Sequence, residues 1–172
     1  MREPGTAILN VPSAEQMQAV GHAIGRAIDA LDAPFIIALE GELGAGKTTL
    51  VGGLLRAYGI TGPVRSPTYT LIEPYEATSR PLYHLDLYRL TDPDEMEPLG
   101  VRDLLIGRAV LLIEWPSRAG AALPAADLWI EISYPAAGID GRQVRLTPHS
   151  SNGAAVMRQM VAAIPELRLL SP

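Results

Sequence analysis

The spacing of apolar residues along the chain predicts three helices and two buried strands. Apolar positions recur every three or four residues after Ser13, again after residue 46, and again over 153–164. Unbroken apolar runs over 35–39 and 109–113 are short enough to be strands buried on both faces. Because helices and buried strands alternate, we expect an α/β fold with a sheet between helices.

The remaining segments predict antiparallel additions to that sheet and one further helix. Apolar and polar residues alternate over 68–75 and 82–87 on either side of a polar turn, so these segments are expected to pair as a hairpin. Residues 128–134 and 143–146 are expected to form a second antiparallel pair. Residues 91–106 are predicted to be a helix, because the acidic residues near its start favour a helix N-terminus.

Composition narrows the class of protein. The 172 residues are 48% hydrophobic, which is enough for a sizeable core, so we expect one domain over 1–172. A net charge of −5 argues against a surface coated by nucleic acid. The absence of cysteine excludes disulfides, thiolate metal sites and a cysteine nucleophile. The N-terminal residues lack a signal-peptide pattern and no apolar run approaches ~18 residues, so we expect a cytoplasmic protein without a membrane partner.

The stretch GELGAGKTTL over 41–50 has the spacing of a phosphate-binding loop, G-x-x-x-x-G-K-[ST]. Gly41 and Gly46 allow backbone N–H groups to turn inward on phosphate oxygens. Lys47, the only lysine among 14 basic residues, can reach the β- and γ-phosphates, and the Thr48 hydroxyl can bind magnesium. The flanking strand and helix fit this role, since a helix N-terminus attracts anions. A kinase, a motor, a switch and a passive binder all remain open.

Two acidic residues are candidates for the second acid that such a loop needs near magnesium. Glu114 directly follows the apolar run over 109–113, and Asp86 lies within the segment YHLDLYRL. An aspartate among apolar neighbours is costly to bury unless it is paired or near a cation. His84 shares a strand face with Asp86, and we interpret it as a structural residue, which is the usual role of a histidine on a strand.

The segment after the loop's helix could sense the γ-phosphate. Ser66 and Thr68 follow that helix after a short loop, and either hydroxyl could contact magnesium or position water. The alternative is a rigid loop in which the proline between them ends one segment and starts a strand. Arg65 and Arg118 could neutralise charge in a transition state, although solvated surface arginines are the more common case.

Four motifs taken together resemble the TsaE family, also called YjeE. They are GELGAGKTT, SPTYTLIEPY, HLDLYRL and LLIEWPSR, in this order, with DPDEMEPLGVRDLL between the last two. The loop alone would be unspecific, but the other motifs beside it are specific to the family. The resemblance implies a three-layer P-loop NTPase fold, with a mixed, mainly parallel sheet between helices and antiparallel hairpin additions.

The resemblance also implies roles for individual residues. Thr48 and Glu114 would bind magnesium, and Lys47, Asp86, Glu114 and Thr68 would serve catalysis, with Asp86 near the γ-phosphate or the attacking water. The residues expected to contact ATP or ADP are Gly41, Glu42, Leu43, Gly44, Ala45, Gly46, Lys47, Thr48, Thr49, Ser66 and Trp115. No motif marks the adenine pocket; the resemblance hints that the N-terminal segment and the late hairpin lie near it.

The function implied by the resemblance is a timing role in tRNA modification. Members of the family are small bacterial ATPases needed to make threonylcarbamoyladenosine in tRNA. They bind the TsaD–TsaB pair, which transfers the group, so tRNA is expected to be reached mainly through that complex. A nucleotide-dependent binding module with negligible turnover is the first alternative. A small-molecule kinase is the second, although the sequence contains no arginine-dense insertion of the kind that forms a kinase lid.

Overall fold

Eight strands of the described residues form one mixed sheet. The structure is a computed structural model that describes residues 5–67, 69–77 and 79–169. The strands lie in the spatial order β3-β4-β5-β2-β6-β7-β1-β8. In chain order they are β1 (Ala7–Val11), β2 (Phe35–Glu40), β3 (Ile72–Glu76), β4 (Pro81–Asp86), β5 (Val110–Glu114), β6 (Leu128–Ser133), β7 (Arg142–Pro148) and β8 (Arg168–Leu169).

The centre of the sheet is parallel and its margins are antiparallel. Strands β4, β5, β2 and β6 run in the same direction, and β3 and β7 flank them in the opposite one. Strand β1 pairs antiparallel with β7 and with β8. Five strands therefore point one way and three the other, which confirms the mixed, mainly parallel sheet and both predicted antiparallel pairs. The order also brings the carboxyl ends of β2, β4 and β5 to one edge.

The two faces of the sheet are covered differently. The three α-helices, α1 (Ala14–Asp29), α2 (Lys47–Ala57) and α3 (Ser151–Ala163), share one hydrophobic core with alternate residues of the strands. The opposite face is covered mainly by 3₁₀ turns and loops, packed around residues such as Leu111 and Met96. The third layer is therefore thin, and all the long helices lie on the side of the sheet that carries the phosphate-loop helix.

Residues 91–106, predicted as one helix, form two short 3₁₀ helices, Pro93–Leu99 and Val101–Leu104. The expected acidic start is present, since Asp92 and Glu95 form a capping box. Pro98 cannot donate a backbone hydrogen bond, and Gly100 has a left-handed φ of 58°. Together they prevent a continuous α-helix.

The other differences concern strand ends. Strand β3 begins at Ile72 rather than at residue 68, because Leu71 has a φ of 63° that breaks the extended backbone. Thr68 lies outside the described residues. Strands β1 and β8 were not predicted: each is short, and their apolar residues fit no clear periodic pattern.

None of the helices within the described ranges combines the length and apolar character needed to cross a membrane.

Two arginines fix the C-terminal end of α1 against the sheet. Arg80 donates to the carbonyl oxygen of Leu31 (2.6 Å), and Arg108 donates to the carbonyl oxygens of Asp29 (2.7 Å) and Leu31. Carbonyl groups at a helix end lack partners within the helix and favour nearby cations. Because Arg80 precedes β4 and Arg108 precedes β5, these contacts fix α1 relative to the strands that end at the candidate site.

Helices α1 and α2 cross so closely that their backbones are in contact at two glycines. A Cβ on Gly21 would lie 2.0 Å from the carbonyl oxygen of Leu50, and a Cβ on Gly53 would lie 2.0 Å from that of Gln18. No real side chain tolerates such distances, so both positions require glycine. The close crossing fixes α2, and with it the loop that precedes α2.

We expect Gly53→Ala to lower the free energy of unfolding by about 2–3 kcal/mol, because its methyl group would overlap the backbone of α1. Gly52→Ala is the matched control, since the nearest neighbour of its Cβ would be 3.8 Å away. Helix propensity should make that variant about 0.5–1 kcal/mol more stable than the unaltered protein. Urea denaturation followed by circular dichroism measures both; equal stability of the two variants would contradict the packing.

Candidate functional site

The loop over 41–46 joins β2 to α2 at the carboxyl edge of the parallel strands. Gly41, Gly44 and Gly46 have φ values of 155°, 79° and 113°, which side chains rarely permit. A Cβ on Gly41 would also lie 2.4 Å from the carbonyl oxygen of Ile132 in β6. The loop therefore presents its backbone at the N-terminus of α2, where N–H groups without helical partners attract anions.

Lys47 is the buried cation of this site. The residue is only 4% exposed, and its ammonium donates hydrogen bonds to the carbonyl oxygens of Gly41 (2.6 Å) and Glu42 (3.0 Å). The ammonium also lies 4.2 Å from the centre of the Trp115 ring. Burial lowers the pKa of Lys47, and the nearby carboxylates of Glu114 and Asp86 oppose that shift. A bound anion would favour the charged form further.

Glu114 connects the loop helix to the sheet. Its Oε1 atom accepts a hydrogen bond from the Thr48 hydroxyl (2.9 Å) and lies 2.8 Å from Nε2 of His84. Glu114 is 2% exposed and His84 is fully buried. His84 is a buried strand residue, and its hydrogen bond goes to the candidate metal-binding acid. Its Nδ1 atom has no hydrogen-bond partner among the described residues.

Asp86 lies beside Glu114 on the neighbouring strand. The two residues are paired in the register of β4 and β5, so their side chains leave the same face of the sheet. Asp86 accepts hydrogen bonds from the Ser66 hydroxyl and from the backbone N–H of Tyr88 (2.9 Å). The segment that contains Ser66 is therefore connected directly to the second acid. Both predicted acids belong to one site.

Two cavities flank the loop. The larger, about 390 Å³, is lined by Leu43, Gly44, Gly46, Lys47, Thr48, Thr49, Ser66, Asp86, Tyr88, Arg89, Glu114 and Trp115. The smaller, about 230 Å³, lies between the loop, the residues around Ser13 and the start of β7. The larger cavity holds the predicted acids and the lysine. The smaller one lies where the N-terminal segment and the late hairpin meet the loop.

Most residues predicted for the site are brought together, and a few are not. The larger cavity's lining includes ten residues of the predicted set, and Ala45 and Gly41 lie in the loop itself. Glu42 contributes its carbonyl oxygen to Lys47. Thr68 lies outside the described residues. Arg65 and Arg118 are exposed and do not line the larger cavity, which agrees with their interpretation as surface residues.

Arg89 and Arg142 are candidate site residues that the sequence did not reveal. Arg89 lines the larger cavity and lies over the ring of Tyr69, 4.5 Å from its centre. Arg142 donates to the carbonyl oxygens of Ala45 (3.1 Å) and Gly44 (3.3 Å) in the loop. Arg89 stands in the motif HLDLYRL, which was a usable signal. Arg142 is almost 100 residues from the loop in sequence, and no local pattern indicates its contact.

Comparisons with known proteins show the family to which this chain belongs. A family model described as "Threonylcarbamoyl adenosine biosynthesis protein TsaE" matches residues 11–144. The protein of that name from Haemophilus influenzae is 42% identical over 122 residues, which are 71% of this chain and 75% of that protein. The one from Bacillus subtilis is 43% identical over 112 residues, 65% of this chain and 68% of that protein.

A solved structure extends the likeness to nearly the whole chain. The crystal structure of Bacillus subtilis YdiB matches with a TM-score of 0.73 and 26% identity, covering 95% of this chain and 99% of that one. The matched family region contains the loop, both acids, His84 and Arg142. The chain therefore belongs to the TsaE family of tRNA threonylcarbamoyladenosine biosynthesis proteins.

Proposed function

We propose that this protein is a slow P-loop ATPase that acts as a nucleotide switch on the TsaD–TsaB complex during threonylcarbamoyladenosine synthesis. The observation that carries the proposal is one cavity in which Lys47, Thr48, Glu114 and Asp86 converge on the N-terminus of α2. Phosphate-binding groups alone would support a passive binder. Two buried acids beside them supply the additional groups that hydrolysis requires.

The loop and Lys47 would hold the phosphates of ATP or ADP. The N-terminal N–H groups of α2 and the loop's backbone N–H groups are suited to phosphate oxygens. Lys47 already lies in the cavity, and its ammonium would exchange the carbonyl oxygens of Gly41 and Glu42 for more strongly charged phosphate oxygens. The base and ribose would lie toward the smaller cavity, near Ser13 and Arg142.

The residues beside the loop fit a magnesium ion that is shared with the nucleotide. Among the described residues there is no cluster of three or more histidine, cysteine, aspartate or glutamate side chains that could hold a metal. Magnesium rarely needs one, since it usually keeps several waters and binds one or two carboxylates plus phosphate oxygens. Thr48 and Glu114, joined at 2.9 Å, offer such oxygen atoms. Magnesium bound there would neutralise charge on the phosphates.

Asp86 and Ser66 would connect hydrolysis to a conformational response. The carboxylate of Asp86 faces the larger cavity and could orient an attacking water or accept its proton. The same carboxylate accepts a hydrogen bond from Ser66. Loss of the γ-phosphate would therefore alter the contacts of Asp86 and, through them, the conformation of the loop that contains Ser66. In this proposal, that loop and Trp115 would report the nucleotide state to a partner.

The partner assignment rests on the family, and the charge of the chain is consistent with it. The net charge is −5, which does not favour independent binding of tRNA. We propose that tRNA is reached mainly through the TsaD–TsaB pair and that the protein acts in the cytoplasm. This division leaves the transfer of the threonylcarbamoyl group to other proteins.

We expect slow release of phosphate from ATP by the protein alone, and a several-fold faster release with purified TsaD–TsaB. Because Lys47 is the cation in the loop, Lys47→Ala should lower the stimulated rate by about 100-fold. Lys47→Arg should also lose most of the stimulated rate, since a guanidinium does not fit a ring of N–H groups. Arg158→Ala, exposed on α3, is the control that should retain the rate.

Other results of the same assay favour other functions. Retained ADP binding with negligible phosphate release, alone and with the pair, would indicate a nucleotide-dependent binding module. Release that requires an added small-molecule acceptor, with phosphate found on that acceptor, would indicate a kinase. An unchanged rate in Lys47→Ala would contradict the assignment of the site.

We expect Glu114→Gln to weaken the effect of magnesium on ADP and ATP affinity by about tenfold, because the variant loses a charged oxygen ligand. Titration calorimetry with and without magnesium measures the effect. Glu131→Gln is the control on another strand of the sheet. Among the described residues, the only ion pair of Glu131 is with the half-buried Arg145. If Glu114→Gln keeps the full magnesium response, the metal role moves to Asp86.

A further inference from the structure

Arg142 connects the hairpin formed by β6 and β7 to the outer side of the phosphate-binding loop. Its Nε atom donates to the carbonyl oxygen of Ala45 (3.1 Å), and its Nη2 atom donates to that of Gly44 (3.3 Å). The planar guanidinium therefore bridges two successive carbonyl groups of the loop.

These carbonyl groups matter because of how such a loop binds phosphate. When N–H groups of consecutive residues turn inward toward an anion, the intervening carbonyl groups point away from it. Outward carbonyl groups are satisfied by water or by donors from the surrounding protein. A donor that bridges two of them restricts rotation of the peptide groups between them. The guanidinium of Arg142 is such a donor, in a fixed planar geometry.

Arg142 is itself held in place on several sides. Its Cζ atom lies over the Tyr134 ring, 4.2 Å from the ring centre, and its Nη1 atom donates to the carbonyl oxygen of Gly141 (2.9 Å). Gly141 packs against β1, since a Cβ there would lie 2.4 Å from the carbonyl oxygen of Val11. A side chain fixed in this way can position another group rather than merely follow it.

We infer that Arg142 is a positioning residue that holds the loop at Gly44 and Ala45 in its phosphate-binding conformation before the nucleotide arrives. Such preorganisation raises affinity because less conformational entropy is lost on binding. The effect on nucleotide affinity rests on the proposed function, whereas the effect on the loop does not. The inference assigns to the late hairpin a role in phosphate binding as well as its place beside the smaller cavity.

The geometry distinguishes this role from simple charge attraction. A lysine at position 142 would keep the positive charge near the loop but could not bridge two carbonyl groups with a rigid fork. Methionine would remove both the charge and the hydrogen bonds while keeping a long apolar side chain. If Arg142 acts by positioning, the two substitutions have similar effects; if it acts by charge, lysine restores function.

The experiment compares Arg142→Lys and Arg142→Met with the unaltered protein in two measurements. Hydrogen exchange of the loop amides over 42–47, without nucleotide, should become about tenfold faster in both variants. ADP affinity by calorimetry should fall about tenfold in both, as expected when hydrogen bonds that hold a site are removed. Because the proposed position of the base also lies near Arg142, the exchange measurement without nucleotide is the one that assigns the effect to the loop. Arg145→Met is the matched control on the same strand, since the only ion pair of Arg145 among the described residues is with Glu131. This variant should change neither the loop exchange rate nor the ADP affinity.

Two results would overturn the inference. In the first, the exchange rate of the loop amides and the ADP affinity of Arg142→Lys both stay within about twofold of the unaltered protein. That result would assign the effect of Arg142 to its charge. In the second, the hydrogen exchange of the loop amides is unchanged in Arg142→Met. If the unaltered protein binds no ADP, the proposed function fails, and the exchange measurement alone still decides whether Arg142 holds the loop.

Discussion

The hydrogen bonds of one buried carboxylate hold the site together. Glu114 at the end of β5 contacts Thr48 at the start of α2 and His84 in β4 through the same oxygen atom. A buried carboxylate without donors would be costly, so these two contacts stabilise the charged group and fix its direction. The loop helix, the central strand and the next strand therefore cannot shift independently. The hydrogen bond between Asp86 and Ser66 extends the network to the segment after α2.

The sequence predicts the parts of the site that depend on local pattern. The loop spacing identifies Lys47 and Thr48, and the position of Glu114 after an apolar run places it at the carboxyl end of a central strand. Asp86 could be named as a candidate but not placed beside Glu114, because strand register depends on contacts between distant segments. The alternation of helices and strands likewise predicts the α/β class, and the strand patterns on either side of a turn predict the hairpin of β3 and β4.

What the sequence does not predict depends on long-range contacts or on local breaks in a pattern. Arg142 reaches the loop only because β7 lies next to β6, and nothing near Arg142 in the sequence indicates this. His84 could not be connected with Glu114 before the strand order was known. The absence of one continuous helix over 91–106 is a different case, since Pro98 and Gly100, which interrupt it, both stand within the segment whose acidic start favours a helix.

The balance of charge around the larger cavity explains why the phosphate binding proposed there would require more than a lysine. Lys47 and Arg89 supply two positive charges, and Asp86 and Glu114 supply two negative ones, so the lining side chains are close to neutral. A triphosphate entering such a cavity gains little from side-chain charge alone. The remaining attraction must come from oriented backbone N–H groups and from a cation that travels with the nucleotide. Backbone N–H groups attract phosphate only while they point at it, so in the proposed function the conformation of the loop would contribute directly to affinity. The groups that hold the loop from outside would then be part of the binding site.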